Sequence, residues 1–351
     1  MKKDIKSLSL EELSAQIKDL GLPRFRAGQI FEWLHKYGVA SFEEMTNLSK
    51  ELRASLSNDY YIADCTVEEK YVSSIDSTVK YLFRLNDGEY IESVVMKYKY
   101  GYTICVSSQV GCKMGCKFCA STLAGFKRNL TPSEIESQIH SAQRDLGIRI
   151  SHIVLMGIGE PLDNYDNVIR FLYNVNNKNG LNISMRSITL STCGIVPKMY
   201  DLLNENLQIT LTVSLHAPND EIRSKSMPVN NKWSMDEVLS ACREYVSKTG
   251  RRVSFEYTLI NGVNDSNECA EELASRLEGM LCHVNLIPVN DVKERANVRS
   301  TDEAINRFLS ILKKRGINAT IRRTLGSDIN AACGQLRRDT LKLEKTGGVN
   351  L

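Results

Sequence analysis

Apolar and polar positions follow two rhythms along this chain. Residues 1 to about 60 carry apolar side chains at helical spacing, in Leu10, Leu13, Ile17 and Leu20 and again in Ile30, Phe31 and Leu34. Pro23 and Gly38 interrupt this stretch, so several short helices joined by tight turns are expected. From Tyr60 the period drops to two. The runs Val79–Leu85 and Tyr90–Met96 flank Asn86-Asp87-Gly88. That is a hairpin signal, because glycine accepts the positive φ the turn needs.

After residue 100 short apolar runs recur at Thr103–Ser107, His152–Met156, Ser187–Leu190, Ile209–Ser214, Val253–Leu259, His283–Pro288 and Ala319–Arg322. Helical patterns lie between them. Thr131…Glu134, Ser234…Glu237 and Ser300…Glu303 read as capping boxes, in which a hydroxyl and a carboxylate three residues on satisfy first-turn amides. About six strand–helix units imply an α/β fold with a parallel sheet. Periodicity alone leaves an open doubly wound sheet and a barrel equally possible; in both, ligands gather at the carboxyl ends of the strands. The expected division is a helical segment at 1–58, a β-hairpin linker at 59–98 and an α/β core at 99–351.

Composition narrows the class. The 351 residues are 42% hydrophobic and 25% charged, ordinary for a globular chain and about two domains long. No run of about eighteen apolar residues exists, so no membrane span is expected. Met1-Lys2-Lys3-Asp4-Ile5-Lys6 leads straight into amphipathic sequence without an apolar signal-peptide core. Ten cysteines, about 3% of the chain, are too few for a disulfide scaffold. A cytoplasmic enzyme whose thiols do chemistry or bind metal is the expectation. The net charge of +3 decides nothing about partners. It hides a basic stretch, however: seven Lys and Arg between Lys313 and Arg338 face one acid, Asp328. With Lys113, Lys117, Lys127 and Arg128, this reads as a surface for nucleic-acid phosphates.

The sharpest local signal is Cys112-Lys113-Met114-Gly115-Cys116-Lys117-Phe118-Cys119, a C-x3-C-x2-C loop after the first strand of the core. Three thiolates this close can hold one metal centre. A structural zinc wants four protein ligands, usually as two pairs, and no second pair is present; Cys105 lies seven residues upstream, inside a strand. Three cysteines suit an iron–sulfur cluster with one iron left open. After the next strand comes Met156-Gly157-Ile158-Gly159-Glu160-Pro161, whose glycines permit close approach to a ligand and whose Glu160 could receive an ammonium group. Leu162 stands where a dinucleotide fingerprint needs glycine, so that reading fails. Ser191, Ser214-Leu215-His216 and Asn290 sit at the ends of later strands, where a ligand would meet them.

C-x3-C-x2-C opening a run of βα units resembles the radical S-adenosylmethionine (SAM) superfamily. The resemblance implies a partial (β/α)6 barrel and one [4Fe–4S] cluster on Cys112, Cys116 and Cys119. It also implies that Gly159, Glu160, Ser191, Ser214, Leu215, His216 and Asn290 contact SAM. Over nearly the whole chain, the segments Cys105–Cys112, Cys119-Ala120-Ser121-Thr122, Gly159–Asn164, Ser214–Asp220 and Ala332-Cys333-Gly334-Gln335-Leu336 are similar to the RlmN/Cfr family. That family methylates an adenosine of 23S rRNA, and in its RlmN branch also the tRNA adenosine 3′ to the anticodon. The N-terminal helices look like its RNA-contacting accessory domain.

The family's chemistry assigns further roles. Cys333 takes a methyl group from one SAM, and a second SAM is cleaved in the same turnover. The activated carbon adds to adenine C2, Glu92 removes the C2 proton, and Cys105 attacks Cys333 to leave a disulfide. An external electron donor such as flavodoxin or ferredoxin and a monomeric enzyme are implied. Methylation at C8, as by Cfr, and a zinc-bound RNA-binding module are the alternative readings. Cys65, Cys193, Cys242, Cys269 and Cys282 are expected to be structural.

Overall fold

The seven runs expected after residue 100 are all strands, with ends within two residues of those read from the sequence. The computed structural model describes residues 2–289, 298–329 and 331. One ten-stranded sheet runs in chain order: β1 (Cys65–Val72), β2 (Val79–Leu85), β3 (Tyr90–Tyr98), β4 (Gly101–Cys105), β5 (Ile150–Leu155), β6 (Ile188–Thr192), β7 (Thr210–Ser214), β8 (Val253–Leu259), β9 (Cys282–Pro288) and β10 (Ala319–Ile321). β4 to β10 are parallel. β1 to β4 pair antiparallel. Because β3, not β10, pairs with β4, the curved parallel sheet does not close, and the result is a partial barrel of six βα units ending on β10. The hairpin is present, with Gly88 at φ 85° in its turn. It is not a free-standing link: β1 joins it, and the three strands continue the barrel sheet.

The helices, among them α5 (Tyr165–Asn176), α6 (Val196–Asn204) and α9 (Asn267–Leu277), cover the sheet's outer face. α4 (Pro132–Leu146) and α8 (Met235–Thr249) start on the expected capping boxes, Thr131 with Glu134 and Ser234 with Glu237. The third box is a correction. α10 (Asp302–Lys314) is capped one residue later, by Thr301 accepting from Ala304 N–H at 3.2 Å, so Glu303 falls out of register to complete a box with Ser300.

Before the sheet, three helices, α1 (Leu10–Asp19), α2 (Phe25–Glu32) and α3 (Lys50–Asp59), form a second core around Leu13, Ile17, Ile30, Phe31 and Leu34. Leu20, the last residue of the first apolar stripe, is exposed. This unit sits on α4, which is buried on both faces: Ile135, Ile139 and Ala142 pack in the main core, while its polar side chains meet the N-terminal residues. Ser133 bonds Asp4, Glu136 pairs with His35 at 2.8 Å, and Arg144 donates to Gly38 O at 2.6 Å and Asp64 Oδ2 at 2.6 Å. Gly38 is fixed by this contact, since a Cβ there would lie 2.1 Å from the His140 ring. Among the described residues no helix is long and apolar enough to cross a membrane.

Candidate active site

A parallel barrel whose interior is packed solid is lined with Val, Ile and Leu. This one is not. On β8, Val253, Phe255, Tyr257 and Leu259 belong to the main hydrophobic core, while Ser254, Glu256 and Thr258 line cavities on the other face. Thr103, Thr189, Thr212 and Asn285 continue the polar lining on neighbouring strands. The lumen is a ligand space.

At the carboxyl ends of the strands, a cavity of about 250 Å³ brings together Cys112, Cys116, Cys119, Gly159, Glu160, Ser191, Ser214 and His216. Sequence separations of up to about a hundred residues are thus collapsed onto one wall-to-wall space. The cysteine loop is shaped by its own carbonyls: Cys119 N–H donates to Cys116 O at 3.2 Å, and the Thr122 hydroxyl reaches Cys119 O at 3.0 Å. Lys117 N–H anchors the loop to Ser226 O at 2.9 Å. Burial, as the largest cause, pushes the Cys112 thiol up to about 12 and Cys116 higher still. Such thiols ionise when a cationic centre sits beside them. Among the described residues no three His, Cys, Asp or Glu side chains converge on one ion. Three cysteines lining one cavity suit an iron–sulfur cluster that leaves one iron open, whereas a structural zinc takes four protein donors.

Glu160 faces this loop from the turn after β5. Its Oε1 accepts Leu162 N–H at 3.0 Å and its Oε2 accepts Cys193 N–H at 2.7 Å, with Gln109 Oε1 receiving the Glu160 amide at 2.9 Å. Burial raises its pKa, and the two amides pull it partly back. An ammonium group would complete the balance, since a carboxylate has lone pairs left after two such bonds. Gly159, at φ 110°, makes the turn possible: a Cβ there would sit 2.6 Å from the Gln109 Cβ.

His216 has a left-handed backbone, φ 55°, and its Nδ1 accepts Thr258 N–H at 2.9 Å. Burial, with the Arg223 charge behind it, lowers its pKa to about 3. The ring is therefore neutral with its proton on Nε2, a donor. Leu215, expected beside it at the cofactor, has its side chain in the hydrophobic core; only its backbone faces neighbouring strands, with N–H on Glu256 O at 3.1 Å.

Arg223 carries no local sequence signal. Fully buried on α7 (Asp220–Ser226), it donates to Cys193 O at 2.6 Å, Ser214 O at 3.1 Å, Leu215 O at 3.2 Å and Asn230 Oδ1 at 2.8 Å. One guanidinium thus ties together the loops after β6 and β7. Cys193, read as structural, lines the cavity beside Glu160.

Cys105 lies elsewhere. It ends β4 and lines a second lumen cavity of about 240 Å³, with Met156, Glu256 and Arg322 shared between the two. Glu92 lines neither. Strand register puts Lys80, Val94 and Cys105 in one cross-strand row, with Leu82 and Glu92 in the next row on the same face. Glu92 is buried, not on an exposed hairpin face, and pairs with buried Lys80 at 3.1 Å. Asn290 and Cys333 lie outside the described residues.

The basic surface is thinner than its residue count suggests. Arg128 holds both oxygens of Glu134, each at 2.8 Å, and reaches Asp87 at 2.7 Å; its charge completes the α4 cap. Lys113 pairs with Asp163 at 2.9 Å and Arg315 with Glu271 at 3.2 Å. Arg337 and Arg338 are outside the described residues.

Residues 106–277 match the sequence profile of the radical SAM superfamily, and residues 3–62 that of the ribosomal RNA large subunit methyltransferase N-terminal domain. The chain is 57% identical over 348 residues to a probable dual-specificity RNA methyltransferase RlmN of Lachnoclostridium phytofermentans, covering 99% of this chain and 98% of that one. A protein of the same description from Clostridium novyi is 54% identical, over 97% and 99%. A crystal structure of a radical SAM methyltransferase from Sphaerobacter thermophilus superimposes with a TM-score of 0.90 at 45% identity, covering 95% and 98% of the two chains.

Proposed function

Because the chain belongs to the RlmN family of radical SAM RNA methyltransferases, we propose that it methylates C2 of an adenine in structured RNA. The substrates are an adenosine in the peptidyl-transferase region of 23S rRNA and the adenosine 3′ to the anticodon in some tRNAs. What carries this reading is the meeting of eight motif residues in one cavity that shares Met156, Glu256 and Arg322 with the cavity holding Cys105.

The target carbon explains the apparatus. Adenine C2 lies between two ring nitrogens and is too electron-poor to attack a SAM methyl group. A [4Fe–4S] cluster held by Cys112, Cys116 and Cys119, with two SAM molecules per turnover, supplies the radical chemistry that polar transfer cannot. This chain's residues do the rest. Glu160 receives the ammonium of SAM, and the Ser191 and Ser214 hydroxyls and neutral His216 Nε2–H offer hydrogen bonds around it. Leu215 contributes through its backbone. Asn290 completes the cofactor contacts in this reading.

Cys333 carries the methyl group as a thioether, since thiolates displace readily at SAM. After the carbon is joined to C2, Glu92, which pairs with Lys80 at 3.1 Å, takes the C2 proton. Once the adduct's unpaired electron has passed to the electron-donor couple, the Cys105 thiolate attacks the Cys333 sulfur: the S–S bond forms as the S–CH2 bond breaks, the freed carbon takes a proton to become the RNA methyl group, and an outside reductant reopens the disulfide. An electron donor of the flavodoxin or ferredoxin kind, a monomeric enzyme and a cytoplasmic site of action complete the proposal.

The test is anaerobic. Iron-reconstituted protein given SAM, reductant and unmodified RNA should be brown and should yield 2-methyladenosine on nucleoside mass spectrometry. Appearance of 8-methyladenosine would favour the Cfr-like alternative; a colourless, zinc-loaded protein without product would favour the binding-module alternative. Cys105→Ala should trap a protein–RNA adduct, seen as a gel-shifted band that ribonuclease removes.

A further inference from the structure

Glu256 is unexplained by the roles above. It lies mid-strand on β8, on the lumen face, between Ser254 in the inner cavity and Thr258 in the outer one. Its residue is 5% exposed. Asn285 Nδ2 donates to Oε1 at 2.9 Å, but Oε2 has no hydrogen-bond partner among the described residues, and the nearest cation, Arg322 Nη1, stands 4.0 Å away. Buried carboxylate oxygens are normally bonded, because desolvating one without a donor is costly. Burial accordingly raises this group's pKa, with Arg322 and the Asn285 amide opposing. An oxygen of this kind in the wall of a ligand space marks where a ligand donor belongs.

We propose that Glu256 is a binding residue whose Oε2 accepts a hydrogen bond from an adenosine moiety held in the lumen, orienting it between the cysteine loop and Cys105. The proposal rests on the radical methyltransferase reading and deepens it. The position is the reason: Glu256 borders the cavity of the cysteine loop and also that of Cys105, and a base to be alkylated must bridge these two groups. Adenosine offers the right chemistry in its exocyclic amine and its ribose hydroxyls, and two adenosines enter this site, that of SAM and that of the RNA.

The test compares Glu256→Ala and Glu256→Gln with wild type in three measurements: SAM binding by equilibrium dialysis, RNA turnover, and thermal unfolding. RNA is supplied with either adenosine or purine riboside, which lacks the amine, at the target position. If the RNA amine is the donor, wild type loses about tenfold or more in kcat/KM with purine riboside, while E256A, already that much slower on adenosine, loses nothing further. If a SAM ribose hydroxyl is the donor, E256A weakens SAM binding by about tenfold or more and the two RNAs remain as far apart as in wild type. E256Q, which keeps the shape and an acceptor oxygen, should fall between wild type and E256A in whichever measurement moves. A shift in unfolding temperature with unchanged SAM affinity and unchanged discrimination between the RNAs would overturn the proposal and leave Glu256 a partner of Asn285 and Arg322 only. Dialysis and unfolding need no turnover, so they answer even for an enzyme that fails to methylate, whereas a wild-type failure to make methyladenosine strikes the parent reading instead.

Discussion

Replacing Gly159 by alanine tests the turn that presents Glu160. The residue sits at φ 110°, where a side chain is strained by about 1–3 kcal/mol before any contact is considered. The new Cβ would also lie 2.6 Å from the Gln109 Cβ and 2.8 Å from its backbone nitrogen. Gln109 cannot retreat easily: it is fully buried, and its N–H bonds Ile158 O at 3.1 Å. The turn must therefore move, stretching the 2.9 Å bond from Glu160 N–H to Gln109 and drawing the carboxylate off the Cys193 and Leu162 amides. Losing the charge-assisted contact proposed between Glu160 and the SAM ammonium costs about 1.5–3 kcal/mol, roughly ten- to a hundredfold in Kd. Equilibrium dialysis of SAM against anaerobically reconstituted Gly159→Ala enzyme measures this, with a denaturant melt to report the fold. Affinity within about threefold of wild type would refute the reasoning, since it would mean that Glu160's placement is immaterial to the cofactor.

Arg223→Met should be costly to the whole barrel, by about 3–5 kcal/mol in denaturant unfolding, because four oxygens, three of them in buried bonds, lose this donor at once. Acid should loosen the N-terminal unit from α4. Burial, with the neighbouring Lys6 charge, holds His140 near a pKa of about 4, and the two histidines beside Glu136 hold its carboxyl below the ordinary range. A histidine depressed on folding gives stability that is full above its unfolded value of 6.5 and is lost as pH falls toward 4. Glu136 adds a loss below 4.5, of the same sign. Thermal melts from pH 8 to 5 should therefore decline, and His140→Gln should flatten that decline.

Features set by local spacing were legible in the sequence. The cysteine loop, the Asp87-Gly88 turn and two of three capping boxes depend on neighbours within a few positions, and each is where the pattern put it. The third box slipped because Ser300 and Thr301 offer equivalent hydroxyls, and only helix geometry chooses between them. What was not legible depends on register. Nothing local says that Lys80 and Glu92 stand diagonally across two strands, or that an arginine on a short helix will find four acceptors on three separate segments of the chain. One further signal lies in the strand pattern itself. Parallel strands buried on both faces read as nearly continuous apolar runs, whereas Val253-Ser254-Phe255-Glu256-Tyr257-Thr258-Leu259 alternates strictly. Alternation inside a βα unit points to a wet lumen, and would have drawn attention to Glu256.

That alternation also divides the work of the fold. The outer positions of β8 pack against α8 and its neighbours, and each large side chain there contributes about 1.5–3 kcal/mol of burial. The lumen positions contribute little of this and instead carry hydroxyl, carboxylate and amide groups to a ligand. Truncating Phe255 should therefore lower stability with the SAM affinity of the surviving folded fraction intact, while truncating Thr258 should do the reverse, since its side chain lines the outer cavity. Thr258→Ala keeps the amide that donates to His216, so its effect isolates the hydroxyl. The same strand can hold the barrel together and meet its ligand because period two sends consecutive residues to opposite faces, one answering to packing and the other to chemistry.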